Sequence, residues 1–293
     1  MPAPTTWLHA LVDYAGLFPP AQLSMRDAVR NYATYAAGPH RNILGRFVVP
    51  AARLPEFVRE WQQLDSTERA GPWSLSALVN APNDADWAAL RALAETPELH
   101  VAAIETKASS ADEIAALSQQ IPAGRETWIE VAPETPVLAT LLAAARAAGC
   151  GAKIRTGGVT ADAFPSAAQV VTFFRACATA GIPCKATAGL HHALRGNHRL
   201  TYESESPQAL MHGFVNVFLS AALVAIDKRD DLAVELLEET DPKHFHATPD
   251  SIHWRKHRFT VEQLTRARLE LCRSFGSCSF TEPIEGLQAL HWL

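Results

Sequence analysis

The chain alternates between short apolar runs and longer segments in which apolar residues recur with helical spacing. The short runs are typical of buried strands, and the longer segments are typical of helices that cover a sheet. The predicted strands are residues 8–14, 45–50, 73–79, 100–106, 127–132, 152–156 and 183–188. The predicted helices are residues 25–37, 54–64, 84–95, 110–121, 136–148, 166–180 and 207–226.

These seven strand-then-helix units predict an α/β fold with parallel strands, because each helix has to return the chain across the sheet. An eighth strand at residues 274–280 would close a (β/α)8 TIM barrel. The alternative is an open, doubly wound sheet. No Gly-x-Gly-x-x-Gly follows the first strand, however, where a dinucleotide-binding sheet would carry it. We therefore predict a TIM barrel.

The region between predicted strands seven and eight carries an insertion. Residues 244–248 and 252–255 flank the turn sequence Pro249-Asp250-Ser251, which predicts a β-hairpin. Residues 230–239, 261–273 and 283–290 have helical spacing. Since no linker, low-complexity tract or block of like charge interrupts the chain, we interpret residues 1–293 as a single domain.

Composition and charge narrow the functional classes. The chain has 293 residues, of which 48% are apolar, and its net charge is −5, which argues against disorder and against a nucleic-acid partner. The longest apolar stretch, residues 214–226, is shorter than the roughly 20 residues of a membrane-spanning helix, so we expect no membrane partner. The first residues do not resemble a signal peptide, and the five cysteines form no close pair. We expect a cytoplasmic protein without disulfides or structural zinc.

Charged side chains occur where the predicted barrel strands should be apolar. Side chains alternate along a strand, and the apolar neighbours of these charges point outward, so the charges point into the barrel. A purely structural barrel interior is filled by branched apolar side chains, and the carboxyl ends of its strands carry the active site. A structural ion-pair network is the alternative interpretation. The inward residues are Asp13, Ser74, Ser76, Glu105, Glu130, Lys153, Arg155, Lys185 and Thr187.

Lys185 is the strongest candidate for a catalytic nucleophile. With Lys153 and Arg155 as cationic neighbours on the adjacent strand, we expect its pKa to be depressed, which would allow a neutral amine to form a Schiff base with a carbonyl compound. In the alternative interpretation, both lysines stay charged and hold a substrate carboxylate or phosphate.

Two six-residue segments resemble deoxyribose-phosphate aldolase, a class I aldolase with a barrel fold. Lys185-Ala-Thr-Ala-Gly-Leu is similar to the Lys-Thr-Ser-Thr-Gly-Phe segment around that family's Schiff-base lysine. Lys153-Ile-Arg-Thr-Gly-Gly is similar to the family's second lysine segment, Lys-x-Ser-Gly-Gly, and the two segments have the opposite order in that family. The resemblance implies aldolase-type chemistry with a pair of lysines.

Histidines follow the seventh strand directly. His191 and His192 could act as acid and base near neutral pH, could bind a metal with the barrel carboxylates, or could simply form loop hydrogen bonds. Because the nearby lysines and arginine disfavour a metal centre, we predict no metal and no cofactor. Gly157 and Gly158 could present backbone N–H groups to an anion, and Glu282 could join the rim of the site. For Tyr14 and Cys278 we favour packing roles.

The favoured function is a lyase of aldolase type that acts on a small anionic carbonyl metabolite. In this interpretation Lys185, Lys153, Glu105, Glu130 and His191 are catalytic. The substrate would contact Asp13, Arg155, Gly157, Gly158, Thr187, His192 and Glu282. The alternatives are a metal-assisted hydrolase or isomerase that uses His191, His192 and the barrel carboxylates, and a non-catalytic small-molecule-binding barrel. Histidines 244, 246, 253 and 257 predict either a solvated surface or an interface in a homo-oligomer.

Overall fold

A computed structural model describes residues 5–69, 71–79, 84–93, 95–122 and 124–293. The strands are β1 (Val12–Tyr14), β2 (Leu44–Pro50), β3 (Trp73–Leu78), β4 (Leu99–Lys107), β5 (Glu126–Glu130), β6 (Gly151–Arg155), β7 (Cys184–Thr187), β8 (Gly196–Arg199), β9 (Gln208–Met211), β10 (Phe245–Thr248), β11 (Ser251–Trp254), β12 (His257–Thr260) and β13 (Cys272–Ser277). The helices are α1 (Met25–Ala37), α2 (Leu54–Gln62), α3 (Asp84–Leu93), α4 (Ala111–Gln120), α5 (Leu138–Ala147), α6 (Ala167–Ala180), α7 (Phe214–Ile226), α8 (Asp230–Glu238), α9 (Val261–Glu270) and α10 (Thr281–Ala289).

Eight parallel strands form a closed barrel in the order β1-β13-β7-β6-β5-β4-β3-β2. The predicted (β/α)8 barrel is therefore confirmed, with β13 as the eighth strand. This strand begins and ends earlier than the predicted range of 274–280. Its first residues are apolar or half-buried and pair with β7, so the ladder begins before the Gly-Ser-Cys-Ser sequence that suggests the strand.

Local signals in the sequence account for the ends of several helices. The Ser24 hydroxyl accepts a hydrogen bond from the backbone N–H of Asp27 at 3.1 Å and so caps α1. Helix α6 begins with a capping box between Ser166 and Gln169. It ends at Gly181, whose φ of 67° lies in the left-handed region that favours glycine. These caps confirm the predicted bounds of both helices to within a residue.

The predicted helix over residues 207–226 is wrong at its beginning. Gln208–Met211 form β9, which pairs antiparallel with β8, and the helix starts only at Phe214. Gly213 lies against the backbone of Ala193 and Leu194, where a Cβ atom would collide, so this glycine separates the hairpin from the helix. Helix α7 itself is almost wholly buried. Within the described part of the chain, no helix is both long and apolar enough to cross a membrane.

The predicted hairpin insertion is confirmed and is larger than expected. Strands β10 and β11 pair antiparallel around the turn at Pro249 and Asp250, and β12 adds a third strand. The sequence therefore indicates one of two antiparallel insertions between β7 and β13, and it gives no sign of the β8–β9 hairpin.

The register of neighbouring strands places the charged residues at one level of the barrel. Glu130 on β5 lies beside Lys153 on β6, and Lys153 lies beside Lys185 on β7. On the other side, Lys107 at the end of β4 lies beside Glu130. Because these strands are parallel, their carboxyl ends meet at one mouth of the barrel, which is where the candidate site lies.

Candidate active site

The Lys185 amine lies between two carboxylates. Its Nζ atom is 2.7 Å from Oδ2 of Asp13 and 2.7 Å from Oε1 of Glu105, and only 1% of the side chain is exposed. The Ser274 hydroxyl donates to the same oxygen of Asp13 at 2.8 Å, and the backbone N–H of Arg46 donates to the other oxygen at 2.8 Å. The amine is thus held in place by a carboxylate that is itself fixed.

Lys153 continues the chain of alternating charges. Its Nζ atom lies 3.0 Å from Oε2 of Glu105 and 2.9 Å from Oε2 of Glu130. The other oxygen of Glu130 is 3.2 Å from Nζ of the exposed Lys107. Buried charges are tolerated when they are paired. Lys185 and Lys153 each contact two carboxylates, and Lys107 contacts one at the rim of the barrel.

Glu105 is the carboxylate shared by both buried lysines. The Ser76 hydroxyl also donates to its Oε1 atom at 2.7 Å. Burial alone would raise the pKa of the Glu105 carboxyl, but Lys185, Lys153 and the Ser76 hydroxyl lower this pKa far below its usual range. Glu105 is therefore ionised at neutral pH.

The expectation of a depressed pKa for Lys185 is wrong. Burial does lower the pKa of this amine, but Asp13 and Glu105 more than offset burial, and the resulting pKa lies above the usual lysine value. The side chains that touch Nζ are carboxylates, and the cations Lys153 and Arg155 lie farther away. Lys185 therefore rests as an ammonium ion at neutral pH.

A cavity of about 310 Å³ opens at the carboxyl ends of the strands. We call it the upper cavity. Its walls include both buried lysines, and Phe18, Pro19 and Pro20 from the loop after β1 supply an apolar side. Of the residues predicted for the site, the cavity is lined by Glu105, Glu130, Lys153, Arg155, Gly158, Lys185, Thr187 and His191. The structure thus brings all five of the residues predicted to be catalytic to one space.

Arg155 lies at the mouth of the upper cavity and is exposed, whereas the strand pattern predicts a position inside the barrel. Within the described residues, its guanidinium forms no ion pair or hydrogen bond with another side chain. Arg155, Lys107 and Glu130 also line an adjoining open cavity of about 720 Å³. A substrate in the upper cavity therefore meets an unpaired cation at its outer end.

Four of the predicted site residues lie outside the walls of the upper cavity. Asp13 lies behind Lys185, and His192 and Glu282 line a neighbouring cavity of about 300 Å³. Gly157 packs against Gly189, and a Cβ atom on Gly157 would lie 2.9 Å from the Cα atom of Gly189. The geometry gives Gly157 a packing role, and contact of these four residues with a substrate stays a prediction.

A second polar cluster, made of His191, Glu282, Cys278 and Tyr202, lies at the edge of the upper cavity. The Nδ1 atom of His191 lies 3.2 Å from Oε2 of Glu282 and 3.8 Å from Sγ of Cys278. The Tyr202 hydroxyl donates to the same Glu282 oxygen at 3.0 Å. Burial lowers the pKa of His191, but Cys278 and Glu282 outweigh burial and raise it to about 9. His191 is therefore a cation at neutral pH and a candidate proton donor.

The neighbouring His192 is neutral, whereas His191 is a cation. The ring of His192 stacks on that of His198 with centroids 3.4 Å apart. Burial and the proximity of His198 lower the pKa of His192 to about 4, so this ring is neutral at pH 7. The adjacent histidines are thus fitted for different roles, because only His191 has a carboxylate partner.

The metal-dependent alternative gains no support from this geometry. Within the described ranges of the chain, no three His, Cys, Asp or Glu side chains are grouped as metal ligands. The carboxylates Asp13, Glu105 and Glu130 each contact a lysine amine, which would compete with a cation for the same oxygens.

Several residues of the site have no site role in the sequence-based prediction, among them Lys107, Tyr202 and Cys278. The strand pattern puts Lys107 beyond the rim, although it pairs with Glu130. Tyr202 lies in the loop of the hairpin that the sequence does not predict, and Cys278 has the pattern of a small buried apolar residue. The Cys278 thiol is buried, as expected, but its neighbours are polar groups of the site. No spacing in the sequence links Tyr202 or Cys278 to His191.

No family model matches this chain, and no curated protein sequence matches it. Among solved structures, the chain is similar to FabK from Thermotoga maritima, with 14% identity and a TM-score of 0.38 over 66% of this chain and 56% of that chain. A mutant of the same protein matches with 14% identity and a TM-score of 0.39 over 66% of this chain and 59% of that chain. The matched region thus spans less than two thirds of the length of those chains, and a likeness at this level says nothing about reaction or substrate.

Proposed function

We propose that the protein is a lyase of aldolase type in which Lys185 forms a Schiff base with a small anionic carbonyl metabolite. The observation that carries this proposal is the position of the Lys185 amine, which is buried in the wall of the upper cavity and held between Asp13 and Glu105. The similarity of the two lysine segments to those of deoxyribose-phosphate aldolase agrees with it.

The charge of the site suits an iminium ion. An ammonium group that condenses with a carbonyl compound gives a protonated iminium and one molecule of water, so the positive charge on nitrogen is kept. The carboxylates of Asp13 and Glu105, which stabilise the ammonium form of Lys185, would stabilise the iminium for the same electrostatic reason. The raised pKa therefore favours the charged intermediate, although it makes the free amine scarce.

Glu105 is placed to carry the proton that the reaction has to move, although its lowered pKa makes this transfer unfavourable until the nitrogen has attacked. Its Oε1 atom lies 2.7 Å from the Lys185 amine and takes the proton as nitrogen attacks the carbonyl carbon. The carbonyl oxygen takes a second proton from the attacking nitrogen and becomes a hydroxyl group, which leaves as water when Glu105 returns its proton. Lys153, 3.0 Å from the other oxygen of Glu105, holds this carboxylate in place.

Cleavage of the carbon–carbon bond requires a base and an acid on the substrate side. The carboxylate of Glu130 would accept the proton of the substrate hydroxyl, while the bond electrons move to the iminium nitrogen and give an enamine. The His191 imidazolium would then protonate the enamine carbon, since its pKa of about 9 keeps it charged at neutral pH. Water would hydrolyse the resulting iminium and release the second product from Lys185, and the proton on Glu130 would restore the imidazolium through solvent. Both groups line the upper cavity.

Borohydride trapping tests this function. The protein is incubated with a panel of small aldehydes and keto acids, reduced with borohydride and mapped by peptide mass spectrometry. We expect a reduced adduct on Lys185, none on the exposed Lys256 and none after Lys185→Met. The variant Lys153→Met should keep the adduct but form it more slowly, because Glu105 loses one of its two lysine partners.

Two results would reject the proposal. The absence of any adduct across the panel, in protein that still binds a keto acid, would favour a non-catalytic binding barrel. An adduct that persists in Lys185→Met and disappears in Lys153→Met would transfer the nucleophilic role to Lys153.

A further inference from the structure

A further cavity lies at the opposite end of the barrel from the upper cavity. It has a volume of about 500 Å³ and is lined largely by residues toward the amino ends of the strands, and it shares no lining residue with the upper cavity. We call it the basal cavity. Its charged lining residues are Asp13, Arg46, Glu126, Arg268 and Arg273.

The basal cavity has more positive than negative charge available to a ligand. The Asp13 carboxylate already binds Lys185. Glu126 is shared by two arginines, at 2.9 Å from Nη1 of Arg46 and 3.2 Å from Nη1 of Arg273. Among the described residues that line the cavity, one available carboxylate therefore faces three guanidinium groups.

The third guanidinium group is partly buried, and within the described ranges it has backbone partners only. Arg268 donates to the carbonyl oxygens of Trp7 at 2.6 Å and His9 at 2.7 Å, and also to that of Arg273. Burial lowers its pKa to about 10, a value at which it is still a cation at neutral pH. These carbonyl groups satisfy its donors but leave its positive charge uncompensated.

The other two arginines keep donors free for a ligand. Arg46 uses only Nη1 toward a described side chain, so its Nε and Nη2 groups remain. Arg273 uses Nη1 and Nε, the latter toward the carbonyl oxygen of Leu269, so its Nη2 group remains. Planar guanidinium groups in this arrangement are the common partners of phosphate and carboxylate oxygens.

We propose that the basal cavity is a binding site for a small oxyanion, with a phosphate or carboxylate group held by Arg46 and Arg273 over the positive charge of Arg268. The proposal does not depend on the reaction in the upper cavity, because none of these arginines touches that cavity. It assigns a ligand to the end of the barrel that the proposed catalytic mechanism leaves unused.

Inorganic phosphate is the probe, and calorimetric titration at constant ionic strength is the measurement. All proteins carry Arg155→Gln, which removes the unpaired guanidinium of the upper cavity as a competing site. We expect phosphate to bind this background protein, and Arg273→Gln to weaken binding about tenfold, which is the effect of one charge-assisted hydrogen bond. Glu126→Gln should instead tighten binding, because it releases both arginines from their shared carboxylate.

Matched variants separate a site from an effect of net charge. The exposed Arg91 and Glu203 lie outside the basal cavity, and Arg91→Gln and Glu203→Gln should leave the affinity within about twofold. Arg46→Gln serves as a second variant if Arg273→Gln does not fold. Failure of phosphate to bind the background protein would overturn the proposal, as would equal affinities with and without Arg273→Gln, or equal shifts in the matched controls. None of these outcomes bears on the Lys185 adduct, so the two proposals fail separately.

Discussion

Lys185 and Lys153 are bridged by one carboxylate. Glu105 places Oε1 at 2.7 Å from the first amine and Oε2 at 3.0 Å from the second. Two buried cations on neighbouring strands would repel each other strongly, and the shared carboxylate turns this repulsion into a chain of attractions. The chain continues to Asp13 at one end and to Glu130 at the other.

Removal of the bridging charge should therefore destabilise the protein. Glu105→Gln leaves two buried ammonium groups with one carboxylate each, and we expect the free energy of unfolding to fall by about 3–5 kcal/mol. Urea denaturation at pH 7 measures this loss, with Glu203→Gln as an exposed control that should change stability by less than about 0.5 kcal/mol.

The double variant Glu105→Gln/Lys153→Met provides a sharper check of the same relationship. It removes one cation together with the bridging anion, so it should be more stable than Glu105→Gln alone. If the double variant loses the sum of the two single losses, the charges are not coupled and the bridging role of Glu105 is refuted.

The stability of the protein should depend on pH through His191. Its pKa is raised from 6.5 to about 9 in the folded state, so its contribution is fully present below pH 6.5 and is lost as the pH rises toward 9. A shift of this size corresponds to at most about 3 kcal/mol. His191→Gln should flatten the fall in unfolding free energy between pH 6.5 and 9, as measured by urea denaturation.

His192 is the matched control for this pH dependence. Its pKa is lowered to about 4, so the ring is neutral in the folded protein across the same interval. His192→Gln should keep the wild-type slope between pH 6.5 and 9. An unchanged slope in His191→Gln would show that the pair with Glu282 does not hold His191 as a cation.

Two loops of the candidate site depend on glycine for their close approach. Gly189 has a φ of 75°, and a Cβ atom there would lie 2.8 Å from the Cα atom of Gly157. Gly189→Ala should cost more stability than Gly149→Ala, because Gly149 has a similar φ of 68° but no atom within 4 Å of the position that an alanine Cβ would take. We expect a difference of about 1–3 kcal/mol in urea denaturation, and equal losses would remove the packing role.

The barrel and the inward direction of its charges follow from local patterns in the sequence. The charged residues Glu105, Glu130, Lys153 and Lys185 each have apolar neighbours that belong on the outer face of the strand. Because side chains alternate along a strand, the charged side chains then point inward. The structure confirms that Asp13, Glu105, Lys153 and Lys185 are buried. Arg155 has the same parity, but it stands at the end of its strand and reaches the exposed rim.

The pairing of these charges cannot be predicted from the local pattern, because it depends on strand register. Lys185 on β7 contacts Asp13 on β1, which is 172 positions away along the chain. The contact forms because closure of the barrel leaves a single strand, β13, between β1 and β7. The pKa of Lys185 depends on whether a carboxylate or a cation lies within about 3 Å, and the sequence pattern carries no such distance. Tyr202 escapes prediction for a related reason, since it reaches Glu282 from an inserted hairpin with no helical or barrel periodicity.

Arg155 should select for anionic substrates. Its guanidinium is unpaired within the described residues and lies at the mouth of the upper cavity, so a carboxylate on the substrate gains a charge-assisted hydrogen bond there. Arg155→Gln should raise the keto-acid concentration that half-saturates the Lys185 adduct about tenfold, and high salt should weaken keto-acid labelling of the wild type.

Labelling of Lys185 by an uncharged ketone of similar size shows whether Arg155→Gln impairs recognition of the anion or the reactivity of the Lys185 amine. Arg155→Gln should label with this ketone at nearly the wild-type concentration, because Arg155 does not contact the Lys185 amine or its carboxylates. The exposed Arg91→Gln variant controls for net charge and should leave both concentrations unchanged. If Arg155→Gln weakens labelling by the keto acid and the uncharged ketone equally, Arg155 does not recognise the anion, and the anionic substrate class is wrong even if the Lys185 adduct stands.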